Sequence, residues 1–239
     1  MLIFKIFAMM KKTLFLFAAF CMTLGVMACS DDNPITNETP TETPSEEEEG
    51  NENEELDTPA SSAGKTLVVY YSYTNNTHTI VSDLQTQIEA DVIRIEPAEK
   101  GLDYAADNYA IGSALISAIR ENPNDASSYP AIDPVEVQMD EYATVIVAAP
   151  LWWSNMAAPM QTFLFHYGDE MAGKNIGLIV SSASSGISGV EADAERLIPD
   201  GNFLSPSLWI RSSQTSNCHS MIAEWLDEIN YSGLATPEE

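Results

Sequence analysis

The stretch Thr66-Leu-Val-Val-Tyr-Tyr-Ser-Tyr-Thr-Asn-Asn-Thr-His-Thr79 joins an apolar run to a cluster of hydroxyls and amides. Thr66 to Tyr71 is rich in β-branched and aromatic residues and carries no charge, the composition of a buried strand. From Thr77 to Ile88 the apolar residues Ile80, Leu84 and Ile88 recur at four-residue spacing, which predicts an amphipathic helix. The segment between them holds Ser72, Tyr73, Thr74, Asn75, Asn76 and Thr77 and no Lys or Arg. One Ser, Thr or Asn is enough to cap a helix, and this cluster exceeds that need. Helix N-terminal amides joined by hydroxyls can hold a phosphate through hydrogen bonds and the helix dipole, without a formal cation.

The same alternation continues along the chain. Val92-Ile-Arg-Ile95 reads as a second strand, and Tyr109 to Ile119 as a helix with Ile111, Leu115, Ile116 and Ile119 on one side. Thr144-Val-Ile-Val-Ala-Ala149 reads as a strand buried on both faces, followed by a helix over Ala158 to Phe165. Asn175 to Val180 gives a fourth strand, Val190 to Leu197 a helix, Leu208 to Ile210 a fifth strand and Ser216 to Ile229 a closing helix. This β-α order predicts an α/β fold with a doubly wound, five-stranded parallel sheet and helices on both faces. Ligands of such sheets bind beyond the carboxyl ends of the strands, so the loops after strands one, three and four are the candidate site.

The loop after strand three, Pro150-Leu151-Trp152-Trp153-Ser154-Asn155-Met156-Ala157-Ala158-Pro159, places two indoles side by side. They suit stacking on a flat heterocycle, although either could roof the core instead, Trp153 more readily than Trp152. The loop after strand four, Ser181 to Gly189, is small and rich in donors, with Ser182, Ser184, Ser185 and Gly186 as candidate contacts and no aromatic residue.

Tyr71-Ser72-Tyr73-Thr74-Asn75-Asn76-Thr77 resembles the strand and phosphate loop of the flavodoxin family, with Asn75 where that family has glycine. Asparagine tolerates the left-handed backbone best after glycine. Pro150 to Pro159 resembles the Pro-x-Trp-Trp-Gly loop of a flavodoxin-like subfamily, with Ser154 in the glycine position, and the Ser181 to Gly189 loop is similar to the family's second ring-binding loop. The resemblance implies strand order 2-1-3-4-5 and FMN as cofactor. It implies contacts from Ser72, Tyr73, Thr74, Asn75, Asn76 and Thr77 to the phosphate side. Pro150, Leu151, Trp152, Trp153, Ser182, Ser184, Ser185 and Gly186 would contact the ring. Electron transfer to an unknown redox partner, or an FMN-dependent oxidoreductase, is the expected activity. A flavin-free ligand-binding module on the same fold is the alternative. An acidic domain and apolar stacking would both disfavour negative charge on the reduced flavin and lower its potential.

Competing chemistries find less support. A Walker loop and a dinucleotide fingerprint are absent, as is Gly-x-Ser-x-Gly around Ser184 or Ser185 for a serine hydrolase drawing on His78, His166 or His219. His and Cys are too few and too scattered for a metal site, and Cys218 reads as a buried thiol.

Residues 1–28 combine Lys5, Lys11 and Lys12 with the apolar run Thr13 to Ala28, the pattern of an export signal. Val26-Met27-Ala28-Cys29 resembles a bacterial lipobox, which makes Cys29 the lipid-bearing first residue of a membrane-anchored, cell-envelope lipoprotein. A transmembrane anchor is the competing reading, but Ala28 before Cys29 and the switch to Ser30-Asp31-Asp32 speak against it. Residues 29–64 carry twelve acidic residues and no basic one, with Pro34, Pro40, Pro44 and Pro59, which predicts a disordered acidic tether. The run Glu46 to Glu49 lacks the turned spacing of a calcium loop and reads as solvated charge. The folded domain is then 65–239. Across the whole chain 36 acidic residues face 10 basic ones, a formal charge of -26. Without the signal's three lysines and the tether's twelve acids, the domain keeps seven basic and twenty-four acidic residues, a charge of -17. Such an excess repels phosphate backbones and argues against nucleic acid as a partner.

Overall fold

A computed structural model of the chain describes residues 64–233; the expected signal segment, Cys29 and the tether up to residue 63 lie outside them. Strand β1 (Lys65–Tyr70) pairs in parallel with β2 (Asp91–Arg94) on one side and β3 (Tyr142–Trp152) on the other. Beyond β3 lies β5 (Asn175–Ser182), also parallel. The sheet order β2-β1-β3-β5 is the doubly wound one.

The strand count differs from five. After Trp152 the chain turns back at once as β4 (Asn155–Met156), antiparallel to the end of β3. The fifth sheet position is shared by two short pieces, β6 (Asn202–Phe203) against the start of β5 and β7 (Leu208–Arg211) against its end. The sheet therefore has seven strands.

Strict alternation explains why both faces are covered. Leu67, Val69, Val145, Val147, Leu178 and Val180 point to one face, where Ile116, Phe163, Leu164 and Ala194 cover them. These belong to α2 (Ala106–Glu121), α3 (Ala158–Tyr167) and α4 (Ser188–Leu197). Val68, Tyr70, Ile146, Ala148 and Ile179 point to the other face, under Ile80, Leu84, Ile222 and Trp225 of α1 (Asn76–Leu84) and α5 (His219–Glu228). Each buried Leu, Ile, Val or Phe contributes roughly 1.5–3 kcal/mol by leaving water, so both layers are held mainly by this burial. Gly177 faces Trp225, and a Cβ there would stand 3.2 Å from the indole, so the small residue makes room for the ring.

Two backbone features differ from the sequence expectation. α1 stops at Leu84, short of Ile88, which is still buried after a turn in which its N–H bonds Leu84 O. α2 contains Asp107, Asn108 and Tyr109 at φ 49, 57 and 64, so its regular right-handed part begins after Tyr109. Outside glycine the left-handed conformation costs roughly 1–2 kcal/mol per residue, least for Asp and Asn. No helix among the described residues is long and apolar enough to cross a membrane.

Candidate functional site

The site is assembled at the carboxyl ends of β1, β3 and β5, where three connections meet. After β1, Asn75 adopts φ 64 and ψ 0, the left-handed geometry expected of the residue that replaces glycine. It turns the chain directly into α1, and its own side chain makes no capping bond to the helix. The first amides of any helix lack intrahelical partners, so this end offers N–H donors to an anion, apart from the His78 amide that Ser72 takes. Ser72 accepts a bond from the His78 N–H through Oγ at 3.2 Å, and Asn76 Nδ2 donates to Thr74 Oγ1 at 3.1 Å. Thr77 is buried and its Oγ1 shares a hydrogen bond of 2.9 Å with Ser181 Oγ, which ties α1 to the end of β5. His78 Nδ1 shares a 2.8 Å bond with Tyr70 Oη.

The second connection is not a loop but a hairpin. β3 runs on through Pro150, Leu151 and Trp152, pairs Trp152 with Asn155 and Leu151 with Met156, and leaves only Trp153 and Ser154 as the turn. Both stand at positive φ, 47 and 67, the pattern of a type I′ turn whose twist matches the flanking strands. Ser154 thus takes the left-handed position for which glycine is the default residue. The turn is gripped on every side. Arg120 Nη2 donates to Trp153 O and Arg120 Nε to Asn155 Oδ1 at 2.7 Å. Buried Asp193 accepts from the Met156 N–H at 2.9 Å and from Asn155 Nδ2 at 2.8 Å. Arg196 bonds Asp193 at 3.2 Å, Gln161 at 2.9 Å and Tyr129 at 3.0 Å. Gly189 and Gly112 leave the space that the turn fills: a Cβ at Gly189 would sit 1.9 Å from Ser154 O, and one at Gly112 2.9 Å from the Trp153 ring.

The roles of the two indoles are the reverse of the sequence expectation. Trp152 is half-buried and roofs the core, its ring 5.7 Å from Tyr71 and 5.0 Å from Tyr104. Trp153 is 40% exposed and stands out at the rim. Neither periodicity nor composition distinguishes them, because the tight turn after Trp152 decides which indole folds inward.

Between these connections lies a cleft of about 450 Å³. Tyr73, Thr74 and Asn76 line it from the first connection, and Pro150, Leu151, Trp152 and Trp153 from the second. Ser181, Ser182 and Ala183 close the third side. Ser72 and Thr77 are buried and Asn75 is exposed, all three outside this lining. Ser184, Ser185 and Gly186 are exposed beyond it, because the strand end at Ser181 and Ser182 forms the wall instead. Neither Ser184 nor Ser185 is hydrogen-bonded to a histidine among the described residues; His78 pairs with Tyr70 and His219 with Asp83.

Tyr104, Ala105, Tyr109 and Gly112, at the start of α2, and Ser212 after β7 complete the lining, and sequence reading did not single them out. A pair of tyrosines flanking a predicted helix start was the one available signal. Among the described residues no charged side chain lines the cleft. Tyr104 Oη is the one buried side-chain polar atom without a hydrogen-bond partner among the described residues. Burial raises the Tyr104 pKa, helped by Glu99, and burial likewise raises that of Tyr71, helped by Tyr104. Both phenols stay protonated at neutral pH. At the edge of the cleft Tyr73 Oη donates to Asp103 Oδ1 at 2.8 Å, and this bond, with the Ala105 amide, holds the Asp103 carboxyl below its ordinary range.

Comparison with known proteins accords with this architecture. The Flavodoxin family matches residues 65–229, well over half the chain. A crystal structure of a candidate flavoprotein from Bacteroides eggerthii DSM 20697 is similar at 22% identity and TM-score 0.52, covering 71% of this chain and 99% of that one. A candidate flavoprotein from Bacteroides uniformis ATCC 8492 is similar at 23% identity and TM-score 0.53, covering 69% and 99%. A flavoprotein in complex with FMN from Lactobacillus acidophilus NCFM is similar at 19% identity and TM-score 0.53, covering 68% and 99%. At such identities the likeness speaks for the fold. No curated protein matches the chain.

Proposed function

The chain belongs to the flavodoxin family, and from that premise we propose that it binds FMN and works as an electron-transfer protein or reductase, held at the cell envelope by a lipid on Cys29. The observation that carries the reading is the uncharged, aromatic-walled cleft that meets the start of α1 at the sheet's carboxyl edge. Its residues fit the group. Thr74, Asn76 and the first amides of α1 would take the phosphate, and the left-handed Asn75 keeps the backbone turn that glycine gives elsewhere. Trp152 and Trp153 would flank the ring, with Pro150, Leu151 and Ser182 along it. Tyr104 adds a further aromatic ring to the same wall.

FMN, when bound, supplies one- and two-electron chemistry; the protein binds it, orients it and excludes water from it. A cleft without cations, in a domain of formal charge -17, disfavours negative charge on the ring and so favours a low reduction potential. Lipid anchoring rests on the sequence from Val26 to Cys29 after its apolar run.

Titration of the purified protein with FMN and with riboflavin, followed by flavin absorption and tryptophan fluorescence, tests the reading. We expect saturable binding with indole quenching. Thr74→Ala should weaken FMN about tenfold and leave riboflavin, which has no phosphate, nearly unchanged. Unperturbed spectra at high micromolar FMN would overturn it and leave the flavin-free ligand-binding module as the reading.

A further inference from the structure

The segment between β2 and α2 carries signals for a longer helix than it forms. Asp103 Oδ1 accepts from the Ala105 N–H at 2.9 Å, the placement of a capping carboxylate, and the Ala106 N–H bonds Asp103 O at 3.2 Å. From Tyr104 to Ile111 there is neither glycine nor proline to stop a helix. Yet Asp107, Asn108 and Tyr109 are all left-handed, at φ 49, 57 and 64. Asp and Asn visit that conformation with some ease, but tyrosine does not. The turn holds the Tyr109 ring out at the rim, 53% exposed and edge-on to Trp153 at 6.3 Å, while the residue still lines the cleft. Trp153, by contrast, is fixed by Arg120 at its carbonyl and by Gly112 beneath its ring. On the opposite wall, Ser181 to Gly189 offers no aromatic side chain.

We propose that Tyr109 is the residue that closes the outer side of the flavin cleft, and that Asp107–Tyr109 is a two-state turn whose return to right-handed helix carries the ring onto the bound heterocycle. The inference rests on the flavin reading above and adds to it a residue and a movement. Two conformations are available to the same sequence because the Asp103 cap already favours the helix, whereas the packing of Tyr109 on Trp153 favours the open turn. A ligand shifts such an equilibrium only by binding one state better, and an aromatic ring gained as a stacking partner supplies that difference.

The test is flavin release from the full-length protein by stopped flow, for wild type, Tyr109→Phe and Tyr109→Ala, with FMN and riboflavin in parallel. Tyr109→Ala should release both flavins about three- to tenfold faster, while Tyr109→Phe stays close to wild type. Amide exchange at residues 107–110 should slow when flavin binds. Tyr109 is exposed, so neither variant compromises the core, and equal thermal midpoints check this. Unchanged release in Tyr109→Ala overturns the inference, as does acceleration for FMN alone, which would assign Tyr109 to the phosphate. A wild type that binds no flavin overturns the functional reading itself and the inference with it.

Discussion

Ser154 sits at φ 67 in a two-residue turn and makes no side-chain hydrogen bond among the described residues, so its Cβ carries a conformational cost without a contact to offset it. Glycine removes that cost, and Ser154→Gly should raise stability by about 1 kcal/mol. Urea unfolding checks this as a higher midpoint at unchanged slope; a lower midpoint would contradict the turn geometry. Asn75, at φ 64, is the parallel case at the other side of the cleft. Both departures from the family's glycine thus fall on backbone that has kept the glycine-like conformation, which is why the cleft survives them. Asn75 was legible in the sequence, because asparagine next to a helix start is a known left-handed residue. Trp153 at φ 47 was not, because nothing local marks an indole for that conformation; the pairing of Trp152 with Asn155 imposes it.

Helix α2 is where the elements of the site exchange forces. Its N-terminal side meets the first connection through Tyr73 and Asp103, and its C-terminal side grips the hairpin through Arg120. Asp103 has a lowered pKa, first from the Tyr73 hydroxyl and then from the Ala105 amide. A carboxyl lowered on folding contributes stability that is complete above its unfolded value, about 3.9, and is lost as pH falls through the lower folded one. The Ala105 amide resonance should therefore titrate with a midpoint below about 3.9, and the tie between Tyr73 and the start of α2 should loosen only there. A midpoint at or above the free aspartate value would rule out this link. The existence of α2 was legible from its Ile and Leu spacing, but the left-handed run Asp107–Tyr109 ahead of its regular part was not. Its role as a wall of the cleft was not, since periodicity tells which face is buried and says nothing of what lies beyond the helix end.

At the scale of the molecule, two apolar layers on one parallel sheet form a complete core within residues 64–233. The domain should therefore be indifferent to its attachment. Cys29→Ala is expected to move the protein from the membrane to the soluble fraction with the same thermal midpoint and the same FMN affinity. Retention at the membrane would sink the lipid anchor, and a lowered midpoint would sink the independence of the domain. The amino-acid sequence by itself determined the β-α alternation, the doubly wound sheet, the burial of both its faces and the three connections that meet at one edge. Each of these follows from local periodicity and from the twist that makes crossovers right-handed. Only the tertiary structure decided that Pro150 to Met156 is a hairpin and that the last sheet position is split. The same holds for the lining, which Ser181 and Ser182 form in place of Ser184 and Ser185, and for Tyr104 and Tyr109 standing at the cleft. Those outcomes depend on partners distant in the chain, such as Asp193 on the Met156 amide and Arg120 on the Trp153 carbonyl, and residue spacing holds no record of contacts made across the fold.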